Sequence, residues 1–373
     1  MIYLDNAATT KMFEEGADLY KKYACHSFFN PSAEYGQAVE IKKQLIEAKK
    51  SLLKKLGASK GDIIFTGGAT ESNNLAVFGS KRNGKYEYVF SISEHPSVYN
   101  VAKELERQGF IVHFVGLDKS GQIDYGQLEK VVNDKTRLIS VEQVNNETGA
   151  VNDIKRIVSV RDKLAKNALV HVDGVQAFCK LEFALDKLGV DFYSISAHKF
   201  HGPKGVGALY VKNLNNLKSI VFGGGQEEGY RSGTENIGGI MAMEYAFNKI
   251  DVAKSYDKVY QLNKTMTKAL LEDEHIHVND FNGSPYILSV WFEDVNGETL
   301  MRALAEKGVI VGTGSACSTK KAGNRILENL GFKLEEIKSH IRISFCEELT
   351  IEEIEEAAKI IKEIYNQIRS KVL

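Results

Sequence analysis

The feature that most constrains this chain is an alternation of short apolar runs with helical segments between about residues 40 and 215. Ile41–Leu56 has apolar side chains near the 3.6-residue period, which predicts an amphipathic helix. The runs with strand character are Asp62–Thr66, Tyr88–Ile92, Val112–Val115, Arg137–Val141, Leu169–Val172, Phe192–Ser196 and Gly207–Val211. Several are apolar throughout, as is typical of strands covered by helices on both faces. The repetition predicts an α/β fold with a mostly parallel central sheet flanked by helices.

The pattern changes after about residue 250. Two strand-like runs, Ile287–Phe292 and Arg342–Phe345, lie among helical segments there, which predicts a smaller α+β unit. A length of 373 residues fits about two domains. We therefore expect a large domain over residues 14–250 and a small domain made of residues 1–13 and 251–373.

Composition and charge argue against several classes of protein. Hydrophobic residues make up 43% and charged residues 26% of the chain, as in a soluble globular protein. The 48 basic and 49 acidic residues leave a net charge of −1, so nothing draws the whole molecule to nucleic acid or anionic lipid. No apolar window is long enough to span a membrane, and the N-terminus has no basic stretch before an apolar run. We expect a cytoplasmic protein that binds neither nucleic acid nor membrane directly.

Lys199 lies just after a predicted strand, among small residues and glycines. The carboxyl edge of a parallel sheet is where α/β folds bind ligands. A lone loop lysine is usually a solvated surface residue. A lysine that forms a Schiff base must instead be desolvated enough to be partly neutral, and the neighbouring Ser196 and His198 would suit a phosphate.

Asp173 ends another apolar strand, and Gln176 follows three residues later. An aspartate in this place can cap the next helix. It can also pair with a protonated ring nitrogen, while the glutamine donates to a ring oxygen. Together with Lys199, Asp173 has the role that pyridoxal 5'-phosphate (PLP) needs if it is to act as an electron sink.

A glycine-rich turn, residues 67–74, follows the first predicted strand and precedes a helical run. Small residues let backbone N–H groups approach a phosphate at the positive end of a helix, and Thr70 adds a hydroxyl. The turn matches neither a dinucleotide-binding fingerprint nor a phosphate loop of nucleotide hydrolases. Such turns are common, so this one alone does not identify a site.

A series of motifs, taken together and in order, resembles the cysteine desulfurases. The motifs are Tyr3–Thr10, Gly68–Asn74, Glu94–Val98, Asn145–Gly149, Asp173 with Gln176, His198–Lys199, Arg231–Thr234 and Gly314–Cys317. The resemblance runs from residue 3 to Arg342 and beyond. It implies a fold-type-I, class-V aminotransferase-like homodimer with PLP near the subunit boundary.

The resemblance also implies a role for each candidate residue. At the cofactor these are Lys199 (covalent attachment), Asp173 (ring nitrogen), Gln176 (phenolic oxygen), His95 (stacked on the ring), Thr70, Ser196 and His198 (phosphate) and the partner's Thr234 (phosphate). Asn146 and Arg342 match the positions that hold the substrate carboxylate, for which a bidentate guanidinium is well suited.

The cysteines are widely scattered, without a C-x-x-C pair, which favours neither a disulfide framework nor a zinc site. Cys179 lies in an apolar stretch and is expected to be a buried structural thiol, whereas no role is assigned to Cys25 or Cys346. Cys317 is different because its loop is polar and rich in small residues. By resemblance its thiolate attacks the substrate sulfur, which requires a mobile loop.

The implied reaction is the removal of sulfur from L-cysteine, with Lys199 and His95 moving the Cα proton. The products are L-alanine and a persulfide on Cys317, which passes to an acceptor such as an iron–sulfur scaffold or a thiolation enzyme. The alternatives are a selenocysteine lyase, an aminotransferase of the same fold and a non-catalytic scaffold. Tyr35, where histidine is common, and Phe345–Glu348, where a glycine is more usual, depart from the family pattern and bear on the site entrance and the choice of partner.

Overall fold

The structure is a computed structural model that describes residues 1–82, 84, 86–281, 283–313 and 324–372. The motif Gly314–Cys317, and with it the expected sulfur acceptor Cys317, lies outside the described residues.

The described part of the chain contains twelve strands and thirteen α-helices. The strands are β1 (Ile2–Tyr3), β2 (Asp62–Thr66), β3 (Glu87–Ser91), β4 (Ile111–Val115), β5 (Thr136–Glu142), β6 (Leu169–Asp173), β7 (Phe192–Ser196), β8 (Gly207–Val211), β9 (Ile276–Asn279), β10 (Ile287–Phe292), β11 (Val309–Ile310) and β12 (His340–Ser344). The helices are α1 (Glu14–Cys25), α2 (Gly36–Lys55), α3 (Ala69–Gly79), α4 (Pro96–Arg107), α5 (Tyr125–Val131), α6 (Ile154–Leu164), α7 (Leu185–Leu188), α8 (Ile237–Lys249), α9 (Val252–Leu270), α10 (Gly297–Glu306), α11 (Arg325–Asn329), α12 (Leu334–Lys338) and α13 (Ile351–Val372). Short 3-10 turns occur at Ala197–Lys199, Leu214–Asn216 and Glu227–Gly229.

A seven-stranded sheet in the order β2-β8-β7-β6-β5-β3-β4 forms the centre of the fold. Neighbouring strands are parallel except at β8, which is antiparallel to both β2 and β7. Every residue of β3, β5, β6, β7 and β8 is buried, in keeping with their apolar sequences. The predicted mostly parallel α/β sheet is therefore confirmed.

The C-terminal part contains a three-stranded antiparallel sheet in the order β12-β10-β9, and β1 pairs in parallel with β11. The strand expected at Arg342–Phe345 begins two residues earlier, because His340 and Ile341 pair with Trp291 and Val290 of β10. Strands β1, β9 and β11 were not predicted. Two are only two residues long, too short to produce an alternating pattern.

The N-terminal segment connects this C-terminal sheet to the central one. Leu4 N donates to Ile310 O, and Ser344 N donates to Leu4 O. A few residues later, Thr10 N donates to His198 O, just beyond β7. The chain between these points crosses the carboxyl end of the central sheet, which places residues 5–8 at the candidate site.

The buried side chains include one apolar cluster that combines Leu4 and Ala7 with many residues between Val259 and Tyr365. Two further clusters cover the faces of the central sheet. The first cluster also includes Val144 and Ala177, and the division into residues 14–250 and residues 1–13 with 251–373 remains our proposal. No helix within the described ranges has both the length and the apolar character needed to cross a membrane.

Candidate active site

Three parallel strands end at one edge of the central sheet and place the predicted polar residues there. Asp173 is the last residue of β6, and Lys199 lies in the 3-10 turn that follows β7. In the β5–β6 register Glu142 is the direct partner of Asp173. Parallel strands bring these residues together because all their carboxyl ends point the same way.

Lys199 and Gln176 converge on the N-terminal segment. Lys199 Nζ donates to the carbonyl oxygens of Ala7 and Ala8, at 2.8 and 2.7 Å. Gln176 Nε2 donates to Ala7 O at 2.8 Å. Gln176 and Ala7 are almost fully buried. The backbone of residues 7 and 8 therefore holds the lysine at the sheet edge, a contact that the sequence motif did not reveal.

Asp173 accepts a hydrogen bond from Asn73 Nδ2, at 2.8 Å from Oδ2, and one from Val175 N, at 3.0 Å from Oδ1. One oxygen thus caps the turn after β6, as the capping interpretation expected, and the other faces helix α3. Asn73 Nδ2 also donates to Ser97 Oγ at 2.9 Å. Asn73 is fully buried, so this amide fixes the carboxylate relative to α3 and α4.

His95 stands at the other end of this chain of hydrogen bonds. Its Nδ1 accepts from Ser97 N at 3.2 Å and lies 2.8 Å from Ser97 Oγ. Since a backbone N–H can only donate, neutral His95 carries its proton on Nε2. The residue is exposed at the site, yet burial by the surrounding protein is the main cause that lowers its pKa. His95 is therefore a neutral imidazole with an Nε2–H donor.

The glycine turn before α3 packs closely against the ends of β7 and β8. Gly68 has φ of +142°, which favours glycine, and a Cβ there would lie 3.7 Å from Ser196 Oγ. Gly68 is the N-cap residue of α3 and supplies no side-chain cap. The first N–H groups of this helix and the exposed Thr70 are thus open to an anion.

His198 completes the predicted anion-binding group. Its Nδ1 lies 3.2 Å from Thr9 Oγ1. Burial lowers the pKa of His198 to about 4, and the charges of Lys199, Lys204 and Lys180 lower it further. It is neutral at pH 7 and can act only as a hydrogen-bond partner.

Arg342 projects from β12 and is 7% exposed. Its Nη2 donates to Asp5 Oδ1 at 2.7 Å and its Nη1 to Asn146 O at 2.8 Å. Arg342 Nε is buried and has no hydrogen-bond partner among the described residues. A buried, unused guanidinium donor is costly unless a ligand accepts from it. The structure thus brings Arg342 and Asn146 together, although through the backbone of Asn146.

Two buried glutamates lie behind Asp173. Glu142 Oε1 accepts from Asn145 Nδ2 at 2.7 Å, and Glu94 Oε1 accepts from Glu142 N at 2.8 Å. Burial is the largest cause that raises the pKa of Glu142, to about 8, and the pKa of Glu94 well above its usual range. Burial thus favours the neutral form of both carboxyls behind Asp173.

The family model for aminotransferase class-V matches residues 2–356. A cysteine desulfurase, IscS 1, of Archaeoglobus fulgidus is 32% identical over 99% of this chain and 98% of its own length. The chain belongs to the cysteine desulfurase family. A cysteine desulfurase, IscS, of Neisseria meningitidis serogroup C is 35% identical over 99% of this chain and 93% of that protein. A solved structure titled NifS-like protein superposes with a TM-score of 0.92 at 32% identity, covering 98% of this chain and 99% of that one.

Enzymes of the cysteine desulfurase family depend on PLP, and the donor set in this structure fits that cofactor. A carboxylate held by Asn73 suits a protonated ring nitrogen, Lys199 suits a covalent link, and the open start of α3 suits a phosphate. Gly207 supports the same fit, because a Cβ there would lie 2.8 Å from Gly68 Cα and displace the turn.

Most of the candidate residues that the structure describes meet at this edge. Thr234 is exposed, and its hydroxyl makes no hydrogen bond to any residue that the structure describes. Cys317 lies outside the described residues. Sequence reasoning did not identify Asp5, Asn73, Glu142 or Lys180 as parts of the site. Asp5 and Asn73 lie within motifs that were recognised, but only their contacts give them a role.

Proposed function

We propose that this protein is a PLP-dependent cysteine desulfurase. It transfers the sulfur of L-cysteine to the thiol of Cys317, giving L-alanine and a Cys317 persulfide. The C–S bond of the substrate breaks, an S–S bond forms on Cys317, and a proton is returned to the substrate carbon. Atoms and electrons balance without any external oxidant or reductant.

One observation carries this proposal: residues 5–8 touch both the candidate cofactor lysine and the candidate carboxylate clamp. Lys199 Nζ donates to Ala7 and Ala8, and Arg342 Nη2 donates to Asp5. An α-amino acid held by its carboxylate at Arg342 would thus have its amine and Cα on the side of Lys199. That arrangement fits a small amino acid as substrate.

The residues proposed to hold PLP are Lys199 by covalent attachment, Asp173 at the ring nitrogen, Gln176 at the phenolic oxygen, His95 on the ring face and Thr70, Ser196, His198 and the partner's Thr234 at the phosphate. When bound, PLP supplies an electrophilic carbonyl and a sink for the electrons of the Cα–H bond. The last of these residues requires a homodimer, which we propose as the working unit.

The proton movements are assigned to this chain's own side chains. Lys199 Nζ is assigned to accept the Cα proton, since a lysine amine at the proposed PLP site can act as a base there. His95 holds its proton on Nε2 and is suited to donate it. Arg342 takes no part in the proton transfer. Its Nε–H donates to the substrate carboxylate, next to Asn146.

The acceptor of the persulfide sulfur is proposed to be a protein, such as an iron–sulfur scaffold or a thiolation enzyme, in the cytoplasm. The names of the relatives, IscS among them, support a role in sulfur delivery.

The variant Cys317→Ala tests the function. It should bind PLP, change its visible spectrum on adding L-cysteine and exchange the substrate Cα proton with solvent, because those steps use the cofactor-binding residues, His95 and Arg342 but not Cys317. It should release almost no alanine and carry no persulfide by intact-protein mass. Alanine formation, proton exchange and mass are measured on the same preparation.

Cys25→Ala is the matched control, since Cys25 is exposed and has no role in the proposal. It should turn over cysteine at the wild-type rate. If Cys317→Ala still forms alanine from cysteine at that rate, Cys317 is not the sulfur acceptor. A wild-type protein that carries PLP but forms no alanine would contradict the desulfurase function itself.

A further inference from the structure

A second lysine, Lys180, lies directly behind the candidate cofactor site. It lies in the same turn as Gln176, after it in the chain, and is only 5% exposed. Lys180 Nζ donates to Gln176 Oε1 at 2.7 Å. A buried lysine is rare without a partner or a task, because moving an ammonium group out of water is costly.

The contact determines which way the Gln176 amide points. An ammonium group has donors and no acceptor, so it must face the amide oxygen. The amide nitrogen then faces Ala7 O, to which Nε2 donates at 2.8 Å. Ala7 O favours the same orientation, and Lys180 strengthens it, because a reversed amide would set its oxygen against Ala7 O and its NH2 group against the ammonium.

The same contacts join the two lysines. Lys199 Nζ also donates to Ala7 O, so Lys180, Gln176, Ala7 and Lys199 form one continuous set of hydrogen bonds. The first and last members of this set are both lysines. The carbonyl of Ala7 and the Gln176 amide separate them.

The groups that face Lys180 come from several elements. It borders a small cavity that Cys179, Lys199, His201, Tyr286, Cys346 and Glu347 also line. Its Nζ is 5.7 Å from the centre of the Tyr286 ring. Burial and the charge of Lys199 lower the pKa of Lys180 to about 7, Arg342 acts in the same direction, and Glu347 and Cys346 oppose them.

We propose that Lys180 is a positioning residue that holds the Gln176 amide in the single orientation that presents an N–H donor to the cofactor's phenolic oxygen. The inference rests on the proposed PLP site but not on the fate of the substrate sulfur. Lys180 itself touches Gln176 and reaches the site only through that amide.

The test measures the pH midpoint of the visible band of the PLP-loaded protein, which reports the proton at Lys199 Nζ. Negative charge on the phenolic oxygen favours a proton on Lys199 Nζ, and a hydrogen-bond donor to that oxygen weakens this effect. Loss of the donor therefore raises the midpoint. Lys180→Met should therefore raise it by about one pH unit. Lys180→Arg, which keeps a cation with donors only, should restore the wild-type midpoint.

Lys187→Met is the matched control, because Lys187 is an exposed lysine on α7, close in the chain. It should leave the midpoint unchanged. Lys180→Met is also made in a Gln176→Met background. If Lys180 acts through the amide, its effect there should fall to less than half of that in the wild-type chain.

An equal shift in both backgrounds would mean that Lys180 acts by its charge alone, and it would overturn the inference. Gln176→Met by itself should raise the midpoint, and an unchanged value would overturn the inference even if Lys180→Met failed to fold. A wild-type protein without a visible PLP band would instead contradict the proposed function. The two failures are thus distinguishable.

Discussion

Arg342 is held in place by contacts within the protein. Its two terminal nitrogens are engaged by Asp5 and by the carbonyl of Asn146, which orient the guanidinium plane. Nε, the guanidinium nitrogen nearest the strand, has no hydrogen-bond partner in the described part of the chain. A carboxylate that binds there meets a group whose conformational entropy has already been lost.

Arg342→Ala should weaken binding of L-cysteine much more than binding of PLP, because a guanidinium clamp acts on the substrate alone. Removing one partner of a buried charge pair costs about 2–5 kcal/mol. Substrate affinity from kinetics and PLP affinity from fluorescence titration separate the two effects.

Asp5→Asn serves as the control for that experiment. It weakens the ion pair between Asp5 and Arg342 but leaves the guanidinium, including Nε, in place. Substrate affinity should therefore fall less than in Arg342→Ala. Unchanged affinity for cysteine in Arg342→Ala would place the carboxylate site elsewhere.

At the scale of elements, the start of β8 supports the turn that precedes α3. A Cβ at Gly207 would lie 2.5 Å from Ile195 O and 2.8 Å from Gly68 Cα. These contacts are to backbone, which cannot move aside as a side chain could. The anion-binding turn is thus shaped by a strand that comes about 140 residues later in the chain.

Gly207→Ala should destabilise the protein by about 1–3 kcal/mol and weaken PLP binding, because the strand and the turn must separate. Urea unfolding of the protein without PLP gives the first quantity, and titration with PLP gives the second.

Gly36→Ala is the matched control, since an added Cβ at this first residue of α2 meets no atom of the described residues within 4 Å beyond its own neighbouring backbone. Its stability should be unchanged or slightly higher, given the greater helix propensity of alanine. If the two variants were equally stable and bound PLP equally well, the close approach of Gly207 and Gly68 would not matter.

At the scale of the whole molecule, an ion pair connects the chain after Lys199 to the chain after β12. His201 Nε2 is 3.6 Å from Glu347 Oε2, and Nδ1 donates to Lys11 O at 2.8 Å. Burial acts to lower the pKa of His201, but the hydrogen bond and charge of Glu347 outweigh it and raise that pKa. Burial acts to raise the pKa of Glu347, but the hydrogen bond and charge of His201 outweigh it and lower that pKa.

The stabilising effect of this pair should therefore depend on pH. A raised histidine pKa stabilises the fold below the usual value of 6.5, and this is lost as pH rises through the folded-state pKa. A lowered glutamate pKa stabilises it above the usual value of 4.5, and this is lost as pH falls. Glu347→Gln should lower Tm most between these two values, by roughly 1–3 °C, and least above pH 8.

Glu348→Gln is the control, because its carboxylate is 3.9 Å from His201 Nδ1 and its side chain is 47% exposed. Its effect on Tm should be smaller at every pH. A Glu347→Gln effect that is constant from pH 5 to pH 9 would show that the pair does not titrate as the geometry indicates. Differential scanning fluorimetry across that range measures all three proteins.

Local sequence patterns determined the elements of the central sheet. Phe192–Ser196 and Gly207–Val211 were predicted with the bounds that the structure has, because buried strands are apolar throughout and end at glycines and polar residues. Lys199 and Asp173 were identifiable for the same reason, since each directly follows or ends such a strand. The family motifs extended this to His95, Gln176 and Arg342.

Only the tertiary structure decided how these residues are held. The carbonyls of Ala7 and Ala8 that bind Lys199 lie 192 and 191 residues away in the chain, and Asp5 lies 337 residues from Arg342. Backbone carbonyls carry no residue-specific signal, and contacts at such separations leave no periodic pattern. The orientation of Gln176 by Lys180 and the protonation of His95 likewise depend on which donor faces which acceptor, and that is settled only when the sheet edge, α4 and the N-terminal segment pack together.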